Sequence, residues 1–237
     1  MTPRQVHQRL AHAAAQRYRR SGFFAYRFAL GKLGGDPVFA ALLASGMIPQ
    51  RARVLDLGCG QGVLAAWIDA ARASFSAEQW PEGWPPPPDP SDFRGIELMP
   101  RYVERARTAL GSLARIECAD IRTVEFGKAD VVFILDVLHY MNPTEQEQVL
   151  QRVRSSIGDA GRLLLRVGDA AGGWRFAMSR WVDAAVLFVR GPRSARLYCR
   201  SLQSWHDLLA ICGFNAQPIP MSKGTPFANV LLVATPQ

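Results

Sequence analysis

Cysteine is scarce in this 237-residue chain and carries no pattern: Cys59, Cys118, Cys199 and Cys212 form no CxxC pair. They share no metal-like spacing with the four histidines either. A disulfide scaffold and a zinc site are therefore not expected, no metal is assigned, and a reducing, cytoplasmic setting is the natural reading. Long apolar runs are also missing. Nothing approaches the roughly 20 residues of a membrane-spanning helix, and the N-terminus lacks the apolar core of a secretory signal, so at most peripheral attachment to the inner membrane is expected. No internal repeat occurs. The balance of 49% hydrophobic and 20% charged residues argues against a disordered or fibrous chain.

Acidic residues are absent from the start of the chain. Arg4, Arg9, Arg17, Arg19, Arg20, Arg27 and Lys32 all precede Asp36, the first carboxylate, so nearly all of the formal net charge of +8 sits there. Aromatics are interleaved with these cations: Tyr18, Phe23, Phe24, Tyr26 and Phe28. A segment of this kind suits an anionic lipid surface, an acidic carrier protein or nucleic acid, or else forms a cationic helical lid.

Helical and strand-like patterns alternate along the chain. Helix formers run from Pro3 to about Arg20, then from Phe23 to Leu33 and from Pro37 to Ser45, with Ser21-Gly22 and Gly34-Gly35 as breaks. Short apolar runs at Arg53 to Leu57, Arg94 to Leu98, Arg115 to Ala119, Ala129 to Asp136 and Arg162 to Val167 read as strands buried on both faces. Helical patterns separate them at Gly62 to Ala73, Pro100 to Leu110, Pro143 to Ile157 and Leu202 to Cys212. The alternation predicts an α/β fold, a Rossmann-like doubly wound sheet that is mostly parallel. Asn215 to Pro220 and Asn229 to Ala234 flank Ser222-Lys223-Gly224-Thr225-Pro226, which predicts a closing antiparallel hairpin. The expected division is a basic helical lead over residues 1–46 and the main domain over 47–237. Trp80 to Pro90 holds six prolines and can be neither helix nor central strand, so 78–91 reads as an exposed, partly polyproline inserted loop.

Candidate chemistry gathers at strand ends, where open α/β sheets bind ligands. Val54 to Gly62 reads VLDLGCGQG, a tight turn in which Gly58, Gly60 and Gly62 let backbone approach a ligand closely, with Cys59 between them. A dinucleotide fingerprint would want glycine or alanine at position 63; this chain has Val63. Glu97, with Leu98 after it, closes the second strand, where a carboxylate can accept from both hydroxyls of a ribose. Asp120 ends the third strand, with the Ile121 backbone N–H beside it, suited to an adenine edge. Asp56 and Asp136 close strands one and four and can attract an ammonium group.

VLDLGCGQG, GIEL, CADI and ILDVLHY, in that order, resemble the successive motifs of class I S-adenosylmethionine (SAM)-dependent methyltransferases. The resemblance covers Arg51 to the C-terminus. It implies SAM as cofactor, with the turn at Gly58 to Gly62, ribose at Glu97, adenine at Asp120 and Ile121, and methionine near Asp56 and Asp136.

The acceptor is less constrained. The chain has no Asn/Asp-Pro-Pro-aromatic signature at Asp136 to His139 and no Pro-Cys dipeptide, which argues against amino-methylation of adenine or cytosine and against a cysteine-nucleophile cytosine enzyme. RNA remains the weaker candidate partner, resting only on the basic N-terminus. His139 comes just after the fourth strand and could take the proton of a phenol or a ring carbon, or else shape the cofactor pocket. Tyr26, Tyr140, Asp169 and Trp174 are candidate acceptor contacts. Trp174, Met178, Trp181, Ala185 and Phe188 recur at helical spacing as an apolar stripe flanked by arginines, suited to an aromatic or lipid-like acceptor. GKLGGDPVF, RVGDAAGG and MSKGTPFANVLLVA are further similar to methyltransferases that accompany bacterial aryl polyene pigments of the xanthomonadin and flexirubin type. That resemblance implies a phenolic aryl acceptor, free or tethered to an acyl carrier protein. A SAM-binding module without chemistry would carry the same cofactor motifs.

Overall fold

The computed structural model describes residues 2–168, 197–222 and 229–237. Seven strands form a mixed sheet in the order β3-β2-β1-β4-β5-β7-β6, with helices between them in sequence. The chain divides into two compact units, Met1–Glu125 and Phe126–Gln237.

In the first unit, α1 (Pro3–Gln16), a 3-10 turn (Arg17–Ser21), α2 (Phe23–Gly35) and α3 (Pro37–Ala44) precede β1 (Arg53–Leu57). Two of these helices have their starts written in the sequence. Thr2 and Gln5 form a capping box on α1, and the Asp36 carboxylate accepts from the Val38 amide at the start of α3; both helices also have proline in their first turn. α4 (Val63–Ser76) is apolar nearly all round and correspondingly buried, with Trp67 donating its indole N–H to the Phe39 carbonyl at 2.9 Å. β2 (Asp92–Glu97), α5 (Pro100–Leu110) and β3 (Arg115–Cys118) complete the unit, and β1, β2 and β3 pair in parallel.

The Pro-rich stretch has no regular structure and is folded onto itself and its flanks. The Trp80 indole donates to the Pro85 carbonyl, Trp80 and Trp84 meet edge to face at 5.6 Å, and Gln50 donates to the Pro87 carbonyl. Pro87 and Pro88 are buried, so the insertion is a packed loop and not the exposed one expected, because its tryptophans and prolines close on one another and on Gln50.

In the second unit, β4 (Ala129–Leu135) pairs in parallel with β5 (Ile157–Gly168). α6 (Pro143–Ser156) runs between them behind an Asn142/Glu145 capping box. α7 (Leu202–Ile211) leads to β6 (Phe214–Pro220) and β7 (Asn229–Pro236), the expected antiparallel hairpin, and β7 also pairs antiparallel with β5. Pro218 and Pro220 fit because β6 lies at the edge of the sheet, where a missing N–H breaks no inner ladder. Of the predicted turn Ser222-Lys223-Gly224-Thr225-Pro226, Ser222 is described and 223–226 lie outside the described residues.

Candidate functional site

The first unit gathers the glycine turn, Asp56 and Glu97. After β1 the chain doubles back over the end of β2: the amides of Gly58 and Cys59 both donate to the Ile96 carbonyl, at 2.8 and 3.0 Å. That crossing is possible because Gly95 has no side chain. A Cβ there would lie 2.8 Å from the Cys59 sulfur and 2.7 Å from Ile116. Gly60 has φ of +58°, the left-handed region that favours glycine, and a Cβ on it would meet nothing within 4 Å. Space is therefore open above the turn. Gly62, with φ of +72°, is required for a different reason: its Cβ would strike Leu110 of α5 at 2.6 Å.

Glu97 is buried and is the hub of the turn. One carboxylate oxygen accepts from the Gly60 amide at 2.9 Å, the other from the Met99 amide at 2.8 Å. Each oxygen keeps a lone pair for a further donor. Leu98, beside it, is exposed and offers an apolar surface.

Two acidic side chains share this small volume without a cation. Asp56 is buried, and neither Asp56 nor Glu97 has an ion-pair partner among the described residues. Burial, reinforced by the charge of Glu97, pushes the Asp56 carboxyl up to about 7. The Cys59 thiol is also pushed up, by burial and then by Asp56 and Glu97, which makes it a packed side chain rather than a nucleophile. Tyr18, fully buried, donates its hydroxyl to the Gln61 carbonyl at 2.8 Å. Burial raises its phenol well above the ordinary range, so it acts as a neutral donor that ties the N-terminal segment to the turn.

Gln61, Gly95 and Tyr18 carry roles that the sequence left unassigned, although Gln61 lies in VLDLGCGQG and Gly95 opens GIEL. Gln61 is 4% exposed, and its side-chain oxygen has no hydrogen-bond partner among the described residues. A buried acceptor left unsatisfied costs about 1–3 kcal/mol, which favours a ligand donor at that point. Open space over Gly60, an orphaned acceptor and two unpaired carboxylates fit a ligand that is a nucleoside at one end and cationic at the other. They do not fit a pyrophosphate, whose negative charge would meet Asp56 and Glu97.

Asp120 lies two residues past β3 and opens a turn in which the Thr123 and Val124 amides donate to its carbonyl. Its carboxylate takes bonds from the Arg122 guanidinium and amide, and the side-chain bond above all holds its pKa below the usual carboxylate value. Ile121 is buried next to it.

In the second unit, Asp136 comes directly after β4 in the left-handed region, with φ of +61°. Its carboxylate is gripped at both oxygens by the guanidinium of Arg166 on β5, through Nε at 2.8 Å and through Nη2. Arg166, buried within LLLRV and the first residue of RVGDAAGG, is a further partner to which the sequence assigned no role. His139 and Tyr140 sit on a 3-10 turn (Leu138–Tyr140), their rings 4.1 Å apart. The Tyr198 amide donates to the His139 carbonyl at 2.8 Å. Beneath the turn, fully buried Gln146 donates to the Leu138, Met141 and Tyr198 carbonyls and accepts from Arg200. Tyr26, in the first unit, lies on α2, where the Arg19 guanidinium stands 5.2 Å from its ring centroid. Asp169, Trp174 and the stripe from Trp174 to Phe188 lie outside the described residues. Among the described residues no group of His, Cys, Asp or Glu could hold a metal ion. No described helix is long and apolar enough to cross a membrane.

Residues 55–163 match the family described as "Methyltransferase domain". The chain is 24% identical over 180 residues to a carboxy-S-adenosyl-L-methionine synthase from a Psychrobacter species, covering 69% of this chain and 62% of that protein. It is 29% identical over 130 residues to the synthase of the same name from Chromohalobacter salexigens, covering 51% of this chain and 43% of that one. The chain thus spans less than two thirds of these curated relatives. Among solved structures it is similar to magnesium protoporphyrin IX methyltransferase from Synechocystis PCC 6803 with bound S-adenosylhomocysteine. The TM-score is 0.59 at 21% identity, over 98% of this chain and 99% of that one.

Proposed function

We infer that this chain is a SAM-dependent methyltransferase acting on a small or carrier-tethered phenolic acceptor. The observation that carries the cofactor assignment is the buried, cation-free pair Asp56 and Glu97 beside the open turn at Gly60. Bound SAM supplies an electrophilic methyl group on a positively charged sulfur. In this reading Glu97 accepts from the ribose hydroxyls while its two backbone donors keep it oriented. Leu98, Asp120 and Ile121 border the adenine. Asp56 and the free oxygen of Gln61 receive the ammonium, the cation drawing Asp56 into its ionised form, while the Asp136 carboxylate is already paired with Arg166. His139 is assigned as the base that removes the acceptor's proton, its turn kept in place by Gln146, and Tyr140 lines the acceptor. The phenolic, aryl polyene type of acceptor is supported by the sequence resemblance alone.

A second reading is favoured by the sequence relatives, whose name makes a carboxylated SAM the product. The two readings diverge in what happens to SAM. Mass spectrometry of reactions with SAM and a panel of phenolic acids should show S-adenosylhomocysteine together with a methylated acceptor. His139→Ala should lower that turnover by about 10²-fold, the scale of a lost general base, with SAM affinity nearly unchanged. Carboxylated SAM in place of S-adenosylhomocysteine would establish the second reading. SAM binding with neither product from any acceptor would indicate a module without chemistry.

A further inference from the structure

α2 is apolar on two opposite faces, and only one of them is used. Ala25, Ala29 and Leu33, spaced four apart, are fully buried where α2 packs against α1. The other face carries Phe23, Phe24, Arg27 and Phe28, all within the first two turns. Phe23 is 71% exposed, Phe24 78% and Phe28 49%. A single exposed phenylalanine needs no explanation, but three on one helix face form a patch. Arg19 and Arg20, exposed on the turn just before α2, and exposed Arg27 within it flank that patch in sequence. The cations nearer the body are spent: Arg17 pairs with Asp69 and Lys32 with Asp36. Arg20 and Arg27 have no ion pair among the described residues, and no acidic residue precedes Asp36 to meet them.

We propose that this face of α2 docks on an anionic lipid bilayer. Phenyl rings gain by leaving water for the acyl boundary, and guanidinium groups on the same face reach the phosphates of anionic headgroups. A second copy of the chain fits less well. A twofold contact would lay the patch on itself and bring Arg19, Arg20 and Arg27 against their own equivalents with no carboxylate between them. The Phe23 and Phe24 rings meet at 75°, 6.0 Å apart, and so form a rounded apolar edge rather than the flat successive platforms on which nucleic-acid bases stack. Tyr18, five residues before Phe23, holds the Gln61 carbonyl, so the docking helix is anchored beside the cofactor turn. A bilayer-bound enzyme would thereby present that turn to acceptors held at the membrane surface.

Co-sedimentation of the full chain with phosphatidylcholine vesicles, with and without phosphatidylglycerol, tests this. Binding should require phosphatidylglycerol and fall as salt rises. Phe23→Ser with Phe24→Ser, and separately Arg20→Gln with Arg27→Gln, should each weaken it roughly tenfold or more. Because these side chains are exposed, both variants should keep the wild-type melting temperature and SAM affinity. Absence of binding to phosphatidylglycerol vesicles at low salt would overturn the proposal. So would a wild-type dimer that Phe24→Ser makes monomeric, or capture only by an acidic carrier protein or by RNA.

Discussion

Glu97→Ala will weaken SAM binding by at least tenfold, measured by calorimetric titration. Two losses add. On the proposed assignment the ribose loses its carboxylate acceptor, and charge-assisted bonds of this kind contribute about 1.5–3 kcal/mol each. The turn also loses the clamp that ties the Gly60 and Met99 amides to one side chain, at 2.9 and 2.8 Å. Glu97→Gln keeps one acceptor oxygen and the shape, so its loss should be smaller. Affinity unchanged in Glu97→Ala would remove the ribose assignment.

Arg166→Met will destabilise the fold by about 3 kcal/mol, the lower end of the range for breaking a buried ion pair. The lower end applies because the Asp136 side chain is 32% exposed and can rehydrate, whereas that of Arg166 is wholly buried. Pairing Arg166→Met with Asp136→Asn removes both charges and should recover most of the loss. Urea melts of the two single variants and the double variant give the coupling energy. A single-variant cost under about 1 kcal/mol, within the range of a solvated surface pair, would show that the bond contributes little.

Much of the fold was legible because buried parallel strands write themselves as dense apolar runs. β1 and α5 have the bounds the pattern predicts, Arg53–Leu57 and Pro100–Leu110. The pattern was blind where strands continue through polar or small residues. β2 starts two residues early because Asp92 pairs with Arg53, and β5 starts at Ile157 although Gly158, Asp159 and Ala160 are exposed. Strand ends were overdrawn for the converse reason: β3 stops at Cys118, and Asp120 belongs to the turn after it. At the site, Gly58, Gly60 and Glu97 were readable because turn chemistry and strand-end position are local. Gly95, Gln61, Tyr18 and Arg166 were not. Each matters through a partner far away in sequence or missing from it: the Cys59 sulfur, a donor to the Gln61 side-chain oxygen, the Gln61 carbonyl and the Asp136 carboxylate.

The central claim is that the turn and its two carboxylates are built for a cationic nucleoside, and the Asp56 proton tests it most directly. An unfolded aspartate loses its proton near 3.8, whereas Asp56 in the free protein holds it up to about 7. Folding therefore binds a proton between those values, and the ligand-free protein loses stability as pH rises across that window. A cationic ligand favours the ionised carboxylate, so its binding releases this proton and strengthens as pH rises towards 7. Calorimetric titration with SAM at pH 5.5 and pH 7.0 should show affinity rising several-fold with proton release, both effects vanishing in Asp56→Asn, and no binding of NAD. An affinity for SAM that is flat or falling over that interval, or tighter binding of NAD, would contradict the account.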